Sequence, residues 1–355
     1  MKKKIIISGG GTLGHILPII PVVMDLYVEY DLYFIGTNKG LERKYIEDNK
    51  LTKYFKSTYY FDMIGVNRKN ILKNIKLLYK YYIIRKKLKK LYKKIKPDLI
   101  IGMGGYISGV VINVGVGLNI KTIIHEQNKI IGLANKLVYK KVNKVLLSYD
   151  IENIKNKEVV GNPRYSYVKD NYNTKEENII LIVGGSLGSE FINNTVINNL
   201  DKMYYQNYLI KLVVGKKYFK ENYENIQNIN GKNDYNKIYP VLDNLVEEMS
   251  KSSVIISRSG ATTISEIIAL NKPSILIPSP NVTNNHQYYN ALELYNKKCC
   301  EMIEEKDFDI DKLNNLIKQI LTNYAYKKNI MTNLNQYYKF DPKKKFIEII
   351  NGELC

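Results

Sequence analysis

Short, unbroken apolar runs that stop at small or polar residues recur along the chain. Lys4–Ile5–Ile6–Ile7 ends in Ser8–Gly9–Gly10–Gly11–Thr12–Leu13–Gly14–His15 and then an apolar stretch, Ile16–Tyr27. Leu99–Gly102 meets a glycine turn, Met103–Gly104–Gly105–Tyr106, and a second apolar stretch. Thr122–Ile123–Ile124 ends in four polar side chains, His125–Glu126–Gln127–Asn128. Ile179–Val183 runs into Gly184–Gly185–Ser186–Leu187–Gly188, and Val254–Ile256 into Ser257–Arg258–Ser259–Gly260. Continuous apolar runs of this length read as strands buried on both faces, and parallel sheets need such strands. The stretches after the glycine turns read as helices, so the pattern is strand, glycine turn, helix. It starts afresh at Ile179, which predicts two doubly wound α/β domains in tandem. The boundaries expected are 1–163 for the first domain and 164–340 for the second, with Arg164–Glu177 as a polar linker. The tail, 341–355, contains an apolar pattern at Phe346–Ile350 expected to form a helix that returns to the first domain.

Two further stretches affect this layout. Arg68–Lys96 contains no acidic residue, and its apolar positions (Ile71, Ile75, Leu78, Tyr82, Ile84, Leu88, Leu91, Ile95) recur mostly at intervals of three or four. It reads as one or two amphipathic basic helices, packed on a sheet or lying on anionic lipid. Leu99–Ile120 is uncharged and close to the ~20 residues of a membrane-spanning helix. Its six glycines and two asparagines assign it instead to strand, turn and buried helix.

Composition adds less. The 355 residues carry a formal net charge of +20 and are 45% hydrophobic, enough for two cores. The charge points to an anionic partner: nucleic acid, lipid surface or phosphorylated substrate. Abundant Lys, Asn, Ile and Tyr without Trp also fit a bias in base composition. The three cysteines, Cys299, Cys300 and Cys355, match no zinc spacing and suit a reducing compartment. The apolar run after Met1–Lys4 breaks at Gly9, so no signal peptide is expected.

The candidate chemistry lies where strands end. Gly9, Gly11 and Gly14 satisfy G-x-G-x-x-G, but no acid closes the second strand, Leu32–Tyr33–Phe34–Ile35–Gly36–Thr37, as a dinucleotide site requires. His15 follows this loop as a candidate general base. His125–Asn128 stands at a strand's carboxyl end, where α/β folds place ligands. In Ser257–Glu266 a helix from Thr262 to Leu270 presents unpaired N–H groups suited to phosphate, and Glu266, a turn in, suits vicinal ribose hydroxyls. The alternative there is a capping box between Thr262 or Thr263 and Glu266. Asp307–Phe308–Asp309–Ile310–Asp311 reads as a turn and helix cap, not a metal site.

Together these motifs resemble the MurG family of GT-B glycosyltransferases, over nearly the whole chain. The resemblance rests on Ser8–His15, Gly102–Gly109, His125–Asn128 with Gly132, Ala134 and Asn135, Gly161–Pro163, Gly184–Gly188, Arg258–Glu266, and His286–Gln287 with Asn290–Ala291. It implies an inverting transfer of N-acetylglucosamine from UDP-GlcNAc to lipid I, in a cleft between the domains, at the cytoplasmic side of a cell membrane to which the enzyme binds peripherally. The first domain would take lipid I and face the anionic membrane surface; the second would take UDP-GlcNAc. No cofactor, metal or nucleic acid is implied.

Residue by residue, Ser186 would contact the diphosphate and the Leu242 backbone the uracil. Ala261, Thr262, Thr263, Ile264, Ser265 and Glu266 would hold phosphate and sugar, with Glu266 on the ribose. Gln287 would contact the GlcNAc hydroxyls, and Thr12, Leu13, Gly14 and Asn128 would close over the sugar. His15 is the first candidate base and Glu126 the second. Leu13, Leu187 and Lys129 depart from the family's usual Gly, Gln and Gly, and Arg164 stands one place early. A GT-B isomerase such as a UDP-GlcNAc 2-epimerase is the alternative reading.

Overall fold

The computed structural model describes residues 2–63, 73–185, 188–203, 205–232 and 234–355, with residues 73–78 described as helical backbone only. Ser186, Leu187 and residues 68–72 at the start of the predicted basic stretch lie outside the described residues. The chain divides into two compact units, Met1–Arg164 with Phe340–Cys355, and Tyr165–Lys339.

The apolar runs of the first unit become parallel strands β1 (Lys4–Ser8), β2 (Asp31–Thr37), β3 (Ser57–Phe61), β4 (Leu99–Gly102), β5 (Lys121–Glu126), β6 (Lys144–Leu147) and β7 (Lys157–Val159). They pair in the order β3-β2-β1-β4-β5-β6-β7. Ile5, Ile6, Ile7, Ile100 and Ile101 are all completely buried, because helices cover both faces of the sheet. The helix Pro342–Leu354 sends Phe346 and Ile350 into the same core as Ile5, Ile7 and Val22. On the opposite face, the basic helix Lys73–Ile95 buries Ile84, Leu88, Tyr92 and Ile95 against the helix Tyr106–Val116. Its Tyr79 and Tyr82 are 68% and 54% exposed. No helix among the described residues is long and apolar enough to cross a membrane.

The second unit repeats the plan with β8 (Ile179–Val183), β9 (Leu209–Val213), β10 (Asn236–Tyr239), β11 (Val254–Ser257), β12 (Ser274–Leu276) and β13 (Glu301–Met302). Their order is β10-β9-β8-β11-β12-β13, all parallel. In both sheets the strand order reverses beside the first strand, between β1 and β4 and between β8 and β11. Such a switch point opens a crevice at the strands' carboxyl ends, where ligands bind.

Local structure departs from the sequence reading in two places. The expected linker begins with a helix, Arg164–Asn171, because Tyr165 and Val168, three apart, share a face that buries. Tyr165 packs edge-on against Tyr338 with ring centroids 4.9 Å apart. The helix expected from Ile16 starts only at Ile20, after a 3-10 turn at Leu13–His15. Pro18 and Pro21 have no N–H to donate, so a regular helix starts late, with Pro21 in its first turn. The acidic string does cap a helix: Asp309 accepts the Lys312 N–H and opens Ile310–Thr322.

Candidate functional site

At the switch point of the second unit, β11 ends and the helix Ala261–Leu270 begins. Gly260 is the N-cap, with extended backbone and no side-chain cap. The capping box allowed by the sequence does not form. The first intrahelical bond runs from Ile264 N–H to Gly260 C=O, 2.9 Å. The N–H groups of Ala261, Thr262 and Thr263 therefore have no carbonyl to meet within the helix. Among the described residues the hydroxyls of Thr262 and Ser265, although buried, find no hydrogen-bond partner. Glu266 is 6% exposed, one turn in. This terminus is rich in donors and carries the positive end of the helix dipole.

The surrounding loops are held in place from below. The Arg258 side chain is buried and pinned at three points: the Ile277 carbonyl at 3.0 Å, the Ser189 hydroxyl at 2.6 Å and the Glu305 carboxylate. Ser189 caps the helix Glu190–Ile197, so one guanidinium ties the helix after the β8 glycine loop to the ends of β11 and β12. Ser259 donates to the Gln287 carbonyl at 2.8 Å, and Asn290 donates to the Ser259 carbonyl at 3.3 Å. Gln287 Oε1 accepts the Ser279 N–H at 2.9 Å, so the oxygen is engaged and the NH2 is the donor end of the side chain. Asn284 and Asn285 both adopt left-handed backbone (φ 55° and 51°) to bring Gln287 to the start of its helix, His286–Asn296. Leu242 is half-buried in the loop between β10 and the helix Leu245–Lys251.

In the first unit the switch point joins the loops after β1 and β4. Gly10 N–H donates to the Gly104 carbonyl at 3.3 Å. The contact requires glycine at 105, where φ is 84° and a Cβ would stand 2.1 Å from the Gly10 oxygen. Gly11 takes the positive φ of the first loop, 89°, and Leu13 has none, so leucine is accommodated where glycine is usual. Thr12 is exposed, and Leu13, Gly14 and His15 are half-buried in the 3-10 turn. His15 Nδ1 lies 2.8 Å from the Gly10 carbonyl. A carbonyl only accepts, so Nδ1 carries the proton and Nε2 the lone pair of the neutral ring. The sequence alone does not reveal Glu42, which is fully buried and accepts the Gly11 N–H at 3.1 Å.

The His125–Asn128 cluster divides by depth. His125 is completely buried, with Nε2 donating to the Gly161 carbonyl at 3.1 Å and Nδ1 facing the Gln127 amide at 3.1 Å. Gln127 also donates to the Met103 carbonyl at 2.8 Å, one residue before the Gly104–Gly105 turn. Burial pushes the His125 pKa down to about 4, so the ring is neutral and structural. Glu126, 3% exposed, accepts four bonds: Asn128 N–H and side-chain NH2 at 3.1 Å each, Gly132 N–H at 2.8 Å and the Asn135 amide at 2.9 Å. All its lone pairs are directed at the protein, an arrangement that sets Asn128 and leaves no place to receive a substrate proton.

Residues 5–147 match the glycosyltransferase family 28 N-terminal domain and residues 179–346 its C-terminal domain. A Pediococcus pentosaceus protein named UDP-N-acetylglucosamine--N-acetylmuramyl-(pentapeptide) pyrophosphoryl-undecaprenol N-acetylglucosamine transferase is 33% identical over 346 residues, 92% of this chain and 93% of its own. A Bacillus cytotoxicus protein of the same name is 32% identical over 363 residues, 98% of each chain. Among solved structures, Acinetobacter baumannii MurG superposes with a TM-score of 0.77 at 22% identity, covering 99% of both chains. A UDP-N-acetylglucosamine 2-epimerase also superposes, with a TM-score of 0.69 at 15% identity over 99% of this chain and 96% of that one, so the fold is common to both activities. With both domains matched and its relatives aligned almost end to end, the chain belongs to glycosyltransferase family 28, and within it to the MurG family of N-acetylglucosaminyltransferases.

Proposed function

We propose that the chain transfers N-acetylglucosamine from UDP-GlcNAc to lipid I, giving lipid II and UDP for peptidoglycan synthesis. The observation that carries this reading is the near end-to-end identity to enzymes named for that transfer. The second unit's switch point supports the donor half. The Ala261, Thr262 and Thr263 N–H groups meet the diphosphate, with Ser265 and the Ile264 backbone beside them. Glu266 takes the ribose hydroxyls, Gln287 the sugar, and the Leu242 backbone the uracil. Ser186 completes the diphosphate site by resemblance. Preorganised N–H donors at a helix terminus stabilise the charge that grows on the departing UDP.

By resemblance, Thr12, Leu13, Gly14 and Asn128 of the first unit would contact the sugar, and we assign to His15 Nε2 the proton of the acceptor hydroxyl. That hydroxyl attacks the anomeric carbon from the face opposite UDP, and the configuration inverts. Glu126 acts as the positioning residue for Asn128. The basic helix Lys73–Ile95, with Tyr79 and Tyr82 outward, fits peripheral adhesion to an anionic membrane surface on the cytoplasmic side. No nucleic-acid partner is proposed.

The test is transfer of labelled GlcNAc from UDP-GlcNAc to a lipid I analogue, with and without EDTA. Disaccharide product that persists in EDTA is the expected result and supports helix-assisted departure without a metal. UDP-GlcNAc binding without transfer, together with acceptor-free epimerisation, overturns the acceptor assignment.

A further inference from the structure

Glu42 does not belong to any motif of the sequence, yet the first unit is shaped around its side chain. It lies in the first turn of the helix Leu41–Asp48 and is 0% exposed. Three glycines make its slot. A Cβ on Gly10 would stand 2.5 Å from Oε1, one on Gly40 1.9 Å from Oε2, and one on Gly36 3.2 Å from Cγ. Oε1 accepts both the Thr37 N–H (2.8 Å) and the Thr37 hydroxyl (2.5 Å), which fixes the carboxylate against the end of β2. Oε2 accepts the Gly11 N–H at 3.1 Å.

The last bond reaches His15. Gly11 N–H and Gly10 C=O belong to one peptide plane, and in a trans peptide they point to opposite sides. Glu42 holds the N–H edge, so the carbonyl edge is presented to His15 Nδ1 at 2.8 Å. With glycine on both sides, few steric barriers hinder a flip of this plane. A flipped plane would present an N–H to Nδ1, which favours the opposite tautomer with the proton on Nε2.

We propose that Glu42 is the positioning residue of the reaction: it locks the Gly10–Gly11 peptide, and through it keeps the Nε2 lone pair of His15 directed for proton abstraction. The inference rests on the base role proposed for His15. The same carboxylate occupies the anion-binding side of the G-x-G-x-x-G loop, so this loop does not take a nucleotide phosphate through the Gly11 N–H.

The test uses E42Q and E42A in the full chain. Glutamine fills the slot but has one acceptor oxygen. With that oxygen held by Thr37, its NH2 faces the Gly11 N–H, donor against donor. Nitrogen-15 spectra of histidine-labelled protein, assigned with H15Q, should show one His15 tautomer protonated at Nδ1 in the parent and a mixture in both variants. Turnover should fall about ten- to a hundredfold, the usual range for loss of an orienting partner, with the donor KM nearly unchanged. The acid limb of the kcat–pH profile should shift with the tautomer. If E42A does not fold, E42Q decides alone. An unchanged tautomer and kcat overturn the proposal, as does a loss confined to donor KM. The spectra do not depend on turnover, so an active H15A enzyme would refute the base reading while the hold of Glu42 on the ring is still measured.

Discussion

The two switch points share a strand order and a glycine loop, yet they treat their backbone donors in opposite ways. In the first unit the Gly11 N–H is consumed by a buried carboxylate of the same chain, Glu42. In the second the N–H groups at the start of Ala261–Leu270 have no carbonyl partner within the helix; the buried carboxylate Glu266 sits a turn further in, and the buried cation Arg258 is tied to Glu305. An anion brought to the first loop meets negative charge; one brought to the second meets a helix N-terminus. The same architecture thus yields a loop whose carbonyl meets a histidine and a helix terminus, the one proposed for the diphosphate, whose first N–H groups have no carbonyl within the helix. A glycine-rich turn after a strand specifies close backbone approach, while whether a side chain of the protein already accepts the turn's N–H groups specifies what else can approach.

The sharpest break in this comparison is H15A. It should lower kcat by roughly 10²–10⁴-fold, the usual worth of a general base, with the donor KM little changed. Equal losses in kcat and donor affinity would move His15 into the donor site and erase the division of labour. Acid stability should distinguish the units next. His125 has a folded pKa of about 4 against an ordinary value of 6.5. Between those values the unfolded chain binds a proton that the native state does not, so stability falls as pH drops from about 6.5 towards 4, by about 3 kcal/mol in total. The first unit should therefore lose stability over that range, and H125Q should flatten the slope; a first-unit melting temperature that does not fall between pH 6.5 and 4 would refute it. The smallest effect is expected for E266A, a rise in donor KM of about tenfold, the worth of a hydrogen bond to a charged group, with kcat nearly kept. A donor KM that does not move would remove Glu266 from the ribose.

Much of the fold is legible because parallel strands buried on both faces must be apolar throughout, and runs such as Ile5–Ile7 and Ile179–Val183 say so. The glycine turns are legible for a similar reason: a position such as Gly105, with a carbonyl 2.1 Å from where a Cβ would be, tolerates little else. The cap at Asp309 follows from local chemistry and was equally readable. The helix Arg164–Asn171 was obscured because only two of its apolar residues need burial, too few to rise above a polar background.

Side-chain roles within the motifs were less accessible. His125–Glu126–Gln127–Asn128 announces a polar cluster at a strand end. The pleat and the depth of the sheet then decide that His125 lies in the core, that Glu126 is filled with four donors, and that Asn128 alone among them is half-exposed. Glu42 and Arg258 show the same limit. A charged residue looks like any surface charge until the chain places its partners around it, and for these two the partners include a backbone N–H 31 residues away and a carboxylate 47 residues away. The sequence by itself determined the strands, the turns and the family, since these depend on local periodicity and on the residue types a tight backbone admits. Only the tertiary structure decided which donors are satisfied within the protein and which are left for a ligand, because hydrogen-bond satisfaction is a property of groups brought together across the fold.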